Sequence, residues 1–363
     1  MNKFRALLLI SFFSLNVSWA QKKELSVIGY YAGPAERLDS FPINKLTHII
    51  FSFGHLKGNQ LSIGNARDSA CIKKMVSFRK KYPGLKIILS LGGWGGCKEC
   101  SPVFSTATGR DEFANSTKAL LDYFDADGID LDWEYPAIAG YPGHVFTPAD
   151  RRNFTLLLSS LRNVLGKKKE ISFAAGGFDL FIDSSIEWKK IVPLVDKINI
   201  MTYDLVHGNS TVSGHHTPLY STPEQKQSTD NAVMRLLKAG VPAGKLVIGA
   251  AFYCRFFQTE ADISKGIYQP THFLHGFRYA SLYDSISATK GFVQYWDPVA
   301  KAPYAFNNDR KILATYDDSI SIRLKTKYAM DKKLDGIMFW QLAEDRTNDG
   351  LLDVIDRTKK GKN

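Results

Sequence analysis

Asp127-Gly-Ile-Asp-Leu-Asp-Trp-Glu-Tyr-Pro136 is the stretch that decides the fold of this chain. Within it three apolar residues alternate with three acids: Ile129, Leu131 and Trp133 with Asp130, Asp132 and Glu134. Successive side chains of a β-strand point to opposite faces, so the pattern predicts a strand with one apolar and one acidic face. Neighbouring acids on that face would lie roughly 6–7 Å apart, at about 3.3 Å of rise per residue.

Acids arranged in this way are suited to proton transfer. Carboxylates held this close and partly out of water cannot all stay ionised, so at least one pKa must rise. A protonated carboxyl beside an ionised one is what an acid catalyst needs at neutral pH. The alternatives are a polar face turned to solvent and a site for calcium or magnesium. Turn residues bound the stretch on both sides and its other face is apolar, which argues against a solvated face. The stretch also lacks the spacing of a calcium-binding loop.

Short apolar runs recur along the chain, and each is followed by enough residues for a helix. The predicted strands are Leu25–Tyr31, Leu46–Phe53, Leu85–Leu91, Gly128–Glu134, Ile171–Ala175, Ile198–Tyr203, Leu246–Phe252 and Gly336–Trp340. Helical patterns between them include Glu112–Phe124, Ala149–Leu165, Thr229–Ala239 and Ser321–Lys333. Eight apolar strands alternating with helices predict an α/β fold, a closed parallel (β/α)8 TIM barrel. A doubly wound open sheet is the alternative, but no glycine-rich phosphate-binding sequence follows the first strand to support it.

The interval between the seventh and eighth predicted strands is longer than one helix requires. Within it, residues 256–310 contain aromatic and β-branched runs separated by turn residues, which predicts a small α+β insertion domain between strand 7 and helix 7. We therefore expect a signal peptide at 1–20, a barrel formed by 21–255 and 311–358, the insertion at 256–310 and a basic tail at 359–363.

The first twenty residues have the features of a signal peptide. Lys3 and Arg5 precede an apolar stretch, and Ser18-Trp19-Ala20 has small residues at the positions that signal peptidase requires. We expect cleavage after Ala20 and a secreted or periplasmic protein without membrane insertion, since no later apolar run is long enough to span a bilayer. The formal net charge is +11, but the lysines are scattered, which indicates solvated faces rather than nucleic-acid binding.

The chain has four cysteines: Cys71, Cys97, Cys100 and Cys254. An even number in an exported protein permits disulfides, but it does not fix their pairing. Cys97 and Cys100 are also spaced like a redox motif or half of a zinc site, but a matching pair of zinc ligands is not evident. Three histidines could together form a metal cluster: His207, His215 and His216. We interpret them as loop residues, because no strand or helix fixes their geometry. We expect no metal and no cofactor.

In a (β/α)8 barrel the chemistry collects at the carboxyl ends of the strands. Glu134 ends its predicted strand, and inward-facing acids have no packing role in a barrel interior. Further polar and aromatic residues fall at predicted strand ends: Ser90, Trp94, Tyr203, Asp204, Tyr253 and Trp340. Asp127 has the opposite parity from Asp130, so we expect it to give structural support at the entry of the strand.

Several motifs together resemble glycoside hydrolase family 18, the chitinases and their relatives. Asp127-x-x-Asp130-x-Asp132-x-Glu134 matches the signature of that family, Ser90-x-Gly92-Gly93-Trp94 is similar to its third-strand motif, and Met201-Thr202-Tyr203-Asp204 is similar to its sixth-strand motif. Tyr316-Asp317-Asp318 and Gly336–Trp340 resemble its closing segment, and Phe256–Arg310 resembles the chitinase insertion domain. The motifs cover nearly all of the mature chain in the expected order.

The resemblance implies a retaining hydrolysis in which the substrate takes part. Glu134 would protonate the glycosidic oxygen, and the acetamido carbonyl of the sugar would attack its own anomeric carbon to give an oxazolinium ion. Water would then open that ring with Glu134 as base. Asp132 would accept a hydrogen bond from the acetamido N–H and share a proton with Asp130, so that negative charge faces the positive intermediate.

The resemblance also implies residues that hold the sugar. Tyr203 would donate a hydrogen bond to the acetamido oxygen and align it for attack. Tyr30 and Ser90 would donate to Asp130, and Asp204 and Arg255 would contact sugar hydroxyls. Trp340 would form the floor beneath the distorted sugar, and Trp94 would stack on the sugar beyond the cleaved bond. We assign substrate contacts also to Phe51, Gly93, Tyr135, Met201 and Tyr253.

Two positions depart from the pattern of the family. Asn209 stands where relatives often have a tryptophan, and Cys254 replaces a glycine beside Arg255. The expected function is a chitinase that acts as a monomer on chitin or chito-oligosaccharides. The alternatives are a chitin-binding lectin and an endo-β-N-acetylglucosaminidase that acts on other glycans. Lectins of this fold have usually lost the acid that Glu134 supplies, and the insertion favours chitin over other glycans.

Overall fold

The structure is a computed structural model that describes residues 24–261 and 263–362. The expected signal peptide and its cleavage site lie outside the described residues and stay predictions. Among the helices that the structure describes, none combines the length and the apolar composition needed to cross a bilayer.

The strands form two sheets. The first part of the chain contributes β1 (Ser26–Tyr31), β2 (His48–Lys57), β3 (Gln60–Ser62), β4 (Lys86–Gly92), β5 (Gly128–Asp132), β6 (Glu170–Gly176), β7 (Lys197–Met201) and β8 (Leu246–Ala251). The second part contributes β9 (Tyr253–Thr259), β10 (Thr271–Arg278), β11 (Phe292–Asp297), β12 (Ala302–Asn307), β13 (Ile312–Thr315) and β14 (Gly336–Trp340).

The larger sheet is a closed parallel barrel. Its hydrogen-bonded order is β1-β14-β8-β7-β6-β5-β4-β2, and pairing between β1 and β2 closes the ring. β3 adds an antiparallel hairpin to β2. Each of the eight barrel strands overlaps one of the eight strands predicted from sequence, so the predicted (β/α)8 barrel is confirmed.

The smaller sheet is the insertion between β8, the seventh strand of the barrel, and the helix that follows it. Its antiparallel order is β10-β9-β13-β12-β11. The predicted insertion, 256–310, begins inside β9 and ends before β13. Both strands belong to the antiparallel sheet, and the aromatic pattern between them marks only part of that sheet. A small antiparallel domain is confirmed, whereas the exact division of the chain into domains stays a prediction.

Most of the helices lie around the barrel and connect its strands; one short helix belongs to the insertion, and the last one follows the final strand. They are α1 (Ala66–Ser77), α2 (Cys100–Ser105), α3 (Ala107–Phe124), α4 (Asp150–Leu165), α5 (Asp179–Ser184), α6 (Trp188–Ile191), α7 (Thr229–Lys238), α8 (Leu282–Ser285), α9 (Ser319–Asp331) and α10 (Leu351–Lys359). α3 begins earlier than the periodicity predicts, because the Thr106 side chain accepts a hydrogen bond from the Gly109 N–H and caps the helix. It ends where Asp125 adopts a left-handed conformation with φ of 57°.

β5 separates two apolar environments. Its outward residues Ile129 and Leu131, with Trp133 beyond its end, belong to the main core between barrel and helices. Its inward residues Asp130 and Asp132 are buried inside the barrel. The alternation predicted for this strand is therefore confirmed, and the acids lie among the apolar and aromatic side chains that fill the barrel interior.

The four cysteines form one disulfide. Cys97 and Cys100 are bonded to each other, while Cys71 and Cys254 are buried free thiols. The bond ties the turn after β4 to the start of α2.

A buried ion pair joins the barrel to its last but one helix. The ammonium of Lys325, on α9, lies 2.7 Å from the Asp317 carboxylate and 2.7 Å from the Thr217 carbonyl, and it also contacts the Thr217 hydroxyl. Asp317 accepts further hydrogen bonds from the Ala251 N–H and the Ser321 hydroxyl. Both charged side chains are fully enclosed, so each depends on the other for its stability.

Lys325→Met leaves the Asp317 carboxylate buried without its counter-charge. We expect the free energy of unfolding in urea to fall by about 3–5 kcal/mol. Lys190→Met is the matched control, because Lys190 is exposed and pairs with Glu187 on the surface, where such a pair contributes at most about 1 kcal/mol. Equal unfolding midpoints for the two variants would show that the buried pair is not needed for stability.

Candidate active site

Asp130 is the most deeply held acid of the site. Its side chain is fully buried, with 0 % exposure, and accepts four hydrogen bonds from four other barrel strands. The donors are Tyr30 Oη at 3.1 Å, Ser90 Oγ at 2.9 Å, Ser172 Oγ at 2.6 Å and Asn199 Nδ2 at 3.1 Å. Ser90 and Ser172 are its direct neighbours in the sheet register. Burial raises the pKa of Asp130, although these hydrogen bonds oppose the rise.

Asp132 is the next acid on the same face of β5, and it has fewer hydrogen-bond partners than Asp130. It is buried, and its Oδ1 has no hydrogen-bond partner among the described residues. Burial, followed by the charges of Glu134 and Asp130, raises the pKa of Asp132 well above its ordinary value. A buried carboxyl oxygen without a partner is unfavourable, and it is free to bind a donor that enters the site.

Glu134 lies two residues beyond the end of β5 and is partly buried. Burial raises its pKa to about 7; the Asp204 charge acts in the same direction, and a hydrogen bond with Tyr135 opposes it. At neutral pH the carboxyl is therefore close to half protonated. A group of this kind can donate a proton and later take one back.

Asp204 supplies fixed negative charge beside Glu134. Its carboxylate binds Arg255 through two contacts, 2.8 Å to Nε and 2.6 Å to a terminal nitrogen. Burial opposes ionisation, but the His216 ring and the guanidinium hold the pKa of Asp204 well below its ordinary value. The guanidinium also lies over the Tyr253 ring at 5.0 Å. This pair fixes Arg255 even though Cys254 takes the place of a glycine beside it.

The barrel interior next to the acids contains several of the predicted contact residues. Met201, Tyr203 and Tyr253 belong to one buried cluster with Tyr30. The Tyr203 hydroxyl lies 3.8 Å from the Met338 sulfur, and the Tyr203 ring meets Tyr253 edge-on at 6.0 Å. Tyr203 thus stands among the acids, and burial followed by the charges of Asp132 and Glu134 raises its pKa. Its hydroxyl stays a donor at neutral pH.

Aromatic rings line the mouth of the barrel around Trp340. The indole stacks on Phe53 at 5.6 Å and lies 6.0 Å from the Tyr30 ring. Phe51, which we assigned to substrate contact, packs instead in the core between barrel and helices. The register of β2 shifts between Ser52 and Gly54, which turns Phe53 rather than Phe51 towards the site.

The turn after β4 brings Trp94 to the site. Gly93 has φ of 80°, and an added Cβ there would lie 2.4 Å from the Phe53 ring, so a larger residue does not fit. Trp94 is 54 % exposed, and its ring contacts Tyr135 at 6.5 Å and Tyr141 at 5.7 Å. The predicted residues Gly93, Trp94 and Tyr135 are therefore brought together.

Asp127 lies at the other end of β5. Its Oδ2 accepts a hydrogen bond from the Ile87 N–H at 2.8 Å, and Arg79 lies 3.4 Å from its Oδ1. It therefore joins the amino ends of β4 and β5. The expected supporting role fits this position, although the support goes to the strand entry rather than directly to the acids.

The three histidines do not form one cluster. His207 is exposed, while His215 contacts Asp297 at 3.0 Å and His216 lies 3.6 Å from Asp204. Across the described residues, no group of three or more His, Cys, Asp or Glu side chains is arranged to hold a metal ion.

Some residues of the site were not predicted from sequence. Asn199 shares the inward face of β7 with the predicted residue Met201, so the strand period could have identified it. β6, which carries Ser172, has no predicted site residue. Phe53 depends on a register shift that the sequence does not show. His216 reaches Asp204 from a loop, and no spacing rule links the two positions.

Taken together, the three acids form a row in which each has different surroundings. Asp130 is saturated with donors, Asp132 offers a free oxygen, and Glu134 is able to exchange a proton near pH 7. Such a site can protonate a leaving oxygen and stabilise a positive intermediate.

Comparisons with known proteins show which sequences and folds this chain resembles. The model of the glycosyl hydrolases family 18 matches residues 26–345. Chitinase A1 of Niallia circulans is 36% identical over 299 residues, which cover 76% of this chain and 43% of chitinase A1. A family 18 N-acetylglucosaminidase from Paenibacillus barengoltzii has a solved structure with 35% identity and a TM-score of 0.84, covering 92% of this chain and 99% of that one. The structure of chitinase ChiA74 from Bacillus thuringiensis shares 28% identity with a TM-score of 0.87, over 93% and 70% of the two chains.

The electrostatic link between Asp204 and Glu134 is testable by titration. Carbon-13 NMR of glutamate side chains, with Glu134→Gln to assign the signal, should give a Glu134 pKa of about 7. Asp204→Asn removes a charge that raises this pKa and frees the positive Arg255, so the pKa should fall. Asp183→Asn removes a surface carboxylate paired with Arg235 and should leave it unchanged. An unaltered pKa in Asp204→Asn would exclude the link.

Proposed function

Since this chain belongs to the glycosyl hydrolases family 18, we propose that it is a secreted chitinase that cleaves β-1,4 links between N-acetylglucosamine units. The observation that carries the proposal is the row Asp130, Asp132 and Glu134 at the carboxyl end of β5, with Tyr203 beside it. Chitin or chito-oligosaccharides are the substrates we propose.

Glu134 is the general acid and base in this proposal. Its pKa of about 7 lets it carry a proton to the glycosidic oxygen and then accept one from water. The fixed charge of Asp204 favours the protonated form, and Arg255 keeps Asp204 ionised. As the Glu134 proton leaves, negative charge grows beside Asp132, and the proton that Asp130 and Asp132 share moves towards Asp132, whose pKa is raised by burial and by the charges of Glu134 and Asp130.

We propose that the nucleophile belongs to the substrate. Asp130 accepts four hydrogen bonds and is too enclosed to reach a sugar. Asp132 has one buried oxygen without a partner, which suits the N–H of an acetamido group. With Tyr203 donating to the acetamido oxygen, that oxygen would be turned towards the anomeric carbon. The result is a retaining reaction through an oxazolinium ion.

Retention of the complete acid row supports a hydrolase over a binding protein of the same fold. The similar proteins include chitinase A1 and an N-acetylglucosaminidase, so internal cleavage and release of single sugars are the two modes to distinguish for this chain. The sizes of the first products distinguish the two. A single sugar as the only early product would favour cleavage from the chain end. Release of a glycan from a glycoprotein, with chitin left uncut, would favour an endo-β-N-acetylglucosaminidase.

Export and oligomeric state belong to the proposal as well. The apolar segment within residues 1–20 supports secretion with cleavage after Ala20. We propose that the mature protein acts as a monomer.

Glu134→Gln tests the acid directly. Hydrolysis of chitohexaose should fall by roughly 10²–10⁴-fold while the oligosaccharide still binds, because the amide keeps the shape of the side chain but cannot give up a proton. Glu344→Gln is the matched control, since burial also raises the pKa of Glu344 to about 7 but the residue lies outside the acid row. Product release is followed by chromatography and binding by calorimetry. If Glu344→Gln lost activity while Glu134→Gln kept it, Glu134 would not be the general acid.

Substrate assistance predicts dependence on the acetamido group. Fully deacetylated chito-oligosaccharides should bind weakly and stay uncut, because the amine that replaces the acetamido group has no carbonyl to attack the anomeric carbon. Proton NMR of early products from the acetylated substrate should show the β anomer. Early α products, or cleavage of the deacetylated chain at a similar rate, would refute the mechanism.

A further inference from the structure

The turn between β4 and α2 has a composition that does not fix its own shape. Residues 92–100 read Gly-Gly-Trp-Gly-Gly-Cys-Lys-Glu-Cys. Three of the four glycines, Gly92, Gly93 and Gly95, have positive φ, where other residues are strained. Glycine has the greatest backbone freedom, so a turn so rich in it needs an external constraint to stay in one conformation.

The inner side of this turn touches the backbone of the acid strand. The Gly93 N–H donates to the Asp132 carbonyl at 2.9 Å, and a Cβ on Gly92 would lie 2.2 Å from the same oxygen. Within the turn, the Gly96 N–H donates to the Gly93 carbonyl at 2.8 Å. The turn therefore rests directly on the strand that carries the acids.

The outer side of the turn presents an aromatic surface. Trp94 is more than half exposed and meets Tyr135 and Tyr141 edge-on. The Lys98 ammonium lies over the Tyr141 ring, 5.3 Å from its centre. Two side chains of the turn thus contact Tyr141, while their own backbone is glycine-rich.

The Cys97–Cys100 bond supplies the missing constraint. Both cysteines are buried, and Cys97 Sγ would lie 3.5 Å from a Cβ on Gly92. Cys100 begins α2, and the next residue, Ser101, donates to the buried Asp150 at 2.8 Å. The bond therefore connects the glycine-rich turn to a helix start that is itself anchored in the core.

We propose that the Cys97–Cys100 disulfide is a positioning element for the leaving-group side of the substrate site, which holds Trp94 where it stacks on the sugar beyond the cleaved bond. The inference rests on the proposed function, since it assigns affinity for that sugar to Trp94. The bond acts on binding and not on proton transfer, because Glu134 follows β5 and its charge partners, Asp132 on β5 and Asp204 after β7, lie outside the turn. Without the bond, the turn samples more conformations and Trp94 must be ordered at each binding event.

A double-mutant cycle tests this coupling. The proteins are wild type, Cys97→Ala/Cys100→Ala, Trp94→Ala and the triple variant, assayed on chitohexaose. Alanine is chosen because a buried serine hydroxyl would add its own cost. The disulfide-free variant and Trp94→Ala should each raise KM by about three- to tenfold, the size of one aromatic contact, with little change in kcat. The triple variant should match Trp94→Ala alone, since the bond acts through that ring. Cys71→Ala, which removes a buried free thiol on α1, should leave KM unchanged.

Multiplied effects in the triple variant, or an unchanged KM in the disulfide-free variant, would overturn the proposal. Amide hydrogen exchange without substrate gives a second readout: the amides of Gly93, Gly96 and Cys100 should exchange faster in the disulfide-free variant, with the barrel strands unchanged. Unchanged exchange in the turn would overturn the proposal, and so would loss of protection throughout the barrel, since the bond would then support the whole fold. If exchange in the disulfide-free variant were faster only in the turn while wild type hydrolysed no chito-oligosaccharide, the proposed function would be refuted and the ordering of the Trp94 turn by the bond would stand.

Discussion

One buried carboxyl group, that of Asp130, sets the conditions for the rest of the site. Four hydroxyl and amide groups donate hydrogen bonds to it from β1, β4, β6 and β7. These bonds form only when the register of the strands places the four polar side chains at the same height in the barrel. Since the carboxyl has lost its hydration, each donor replaces a water contact. Asp132, the next acid on the same face of the strand, lies above the Asp130 carboxyl, whose hydrogen bonds are already made.

The distribution of protons follows from the different surroundings of the carboxyl groups. Asp130 and Asp132 are buried within the barrel, which disfavours their ionisation. Asp204 is kept ionised by a bidentate guanidinium and the His216 ring, and its charge adds to the burial that raises the pKa of Glu134. The pKa of the acid at the mouth is thus raised by its burial and by a charge at another strand end. Aromatic rings around Trp340 and Trp94 add apolar surfaces of the kind that a pyranose covers.

The sequence predicted the elements that follow from local periodicity. Period two along Gly128–Glu134 identified the inward acids, and the positions of strand ends located Trp340, Tyr203 and Asp204. What it missed depends on contacts between distant segments. Phe51 and Phe53 have the same parity, and only the register shift in β2 turns Phe53 inward. The antiparallel sheet extends from β9 to β13 because those two strands pair with each other, which aromatic content alone does not reveal. Ser172, the partner of Asp130 on β6, becomes evident only once the barrel is closed.

The pH dependence of kcat/KM on a soluble chito-oligosaccharide is the most direct measurement of the role given to Glu134. The carboxyl must be protonated to donate to the leaving oxygen, and its pKa is about 7. The account therefore predicts that kcat/KM falls as the pH rises through about 7, in a step that removes one proton. A profile that stays level up to about pH 9, or a basic limb that persists unchanged when Glu134 is replaced, would contradict it.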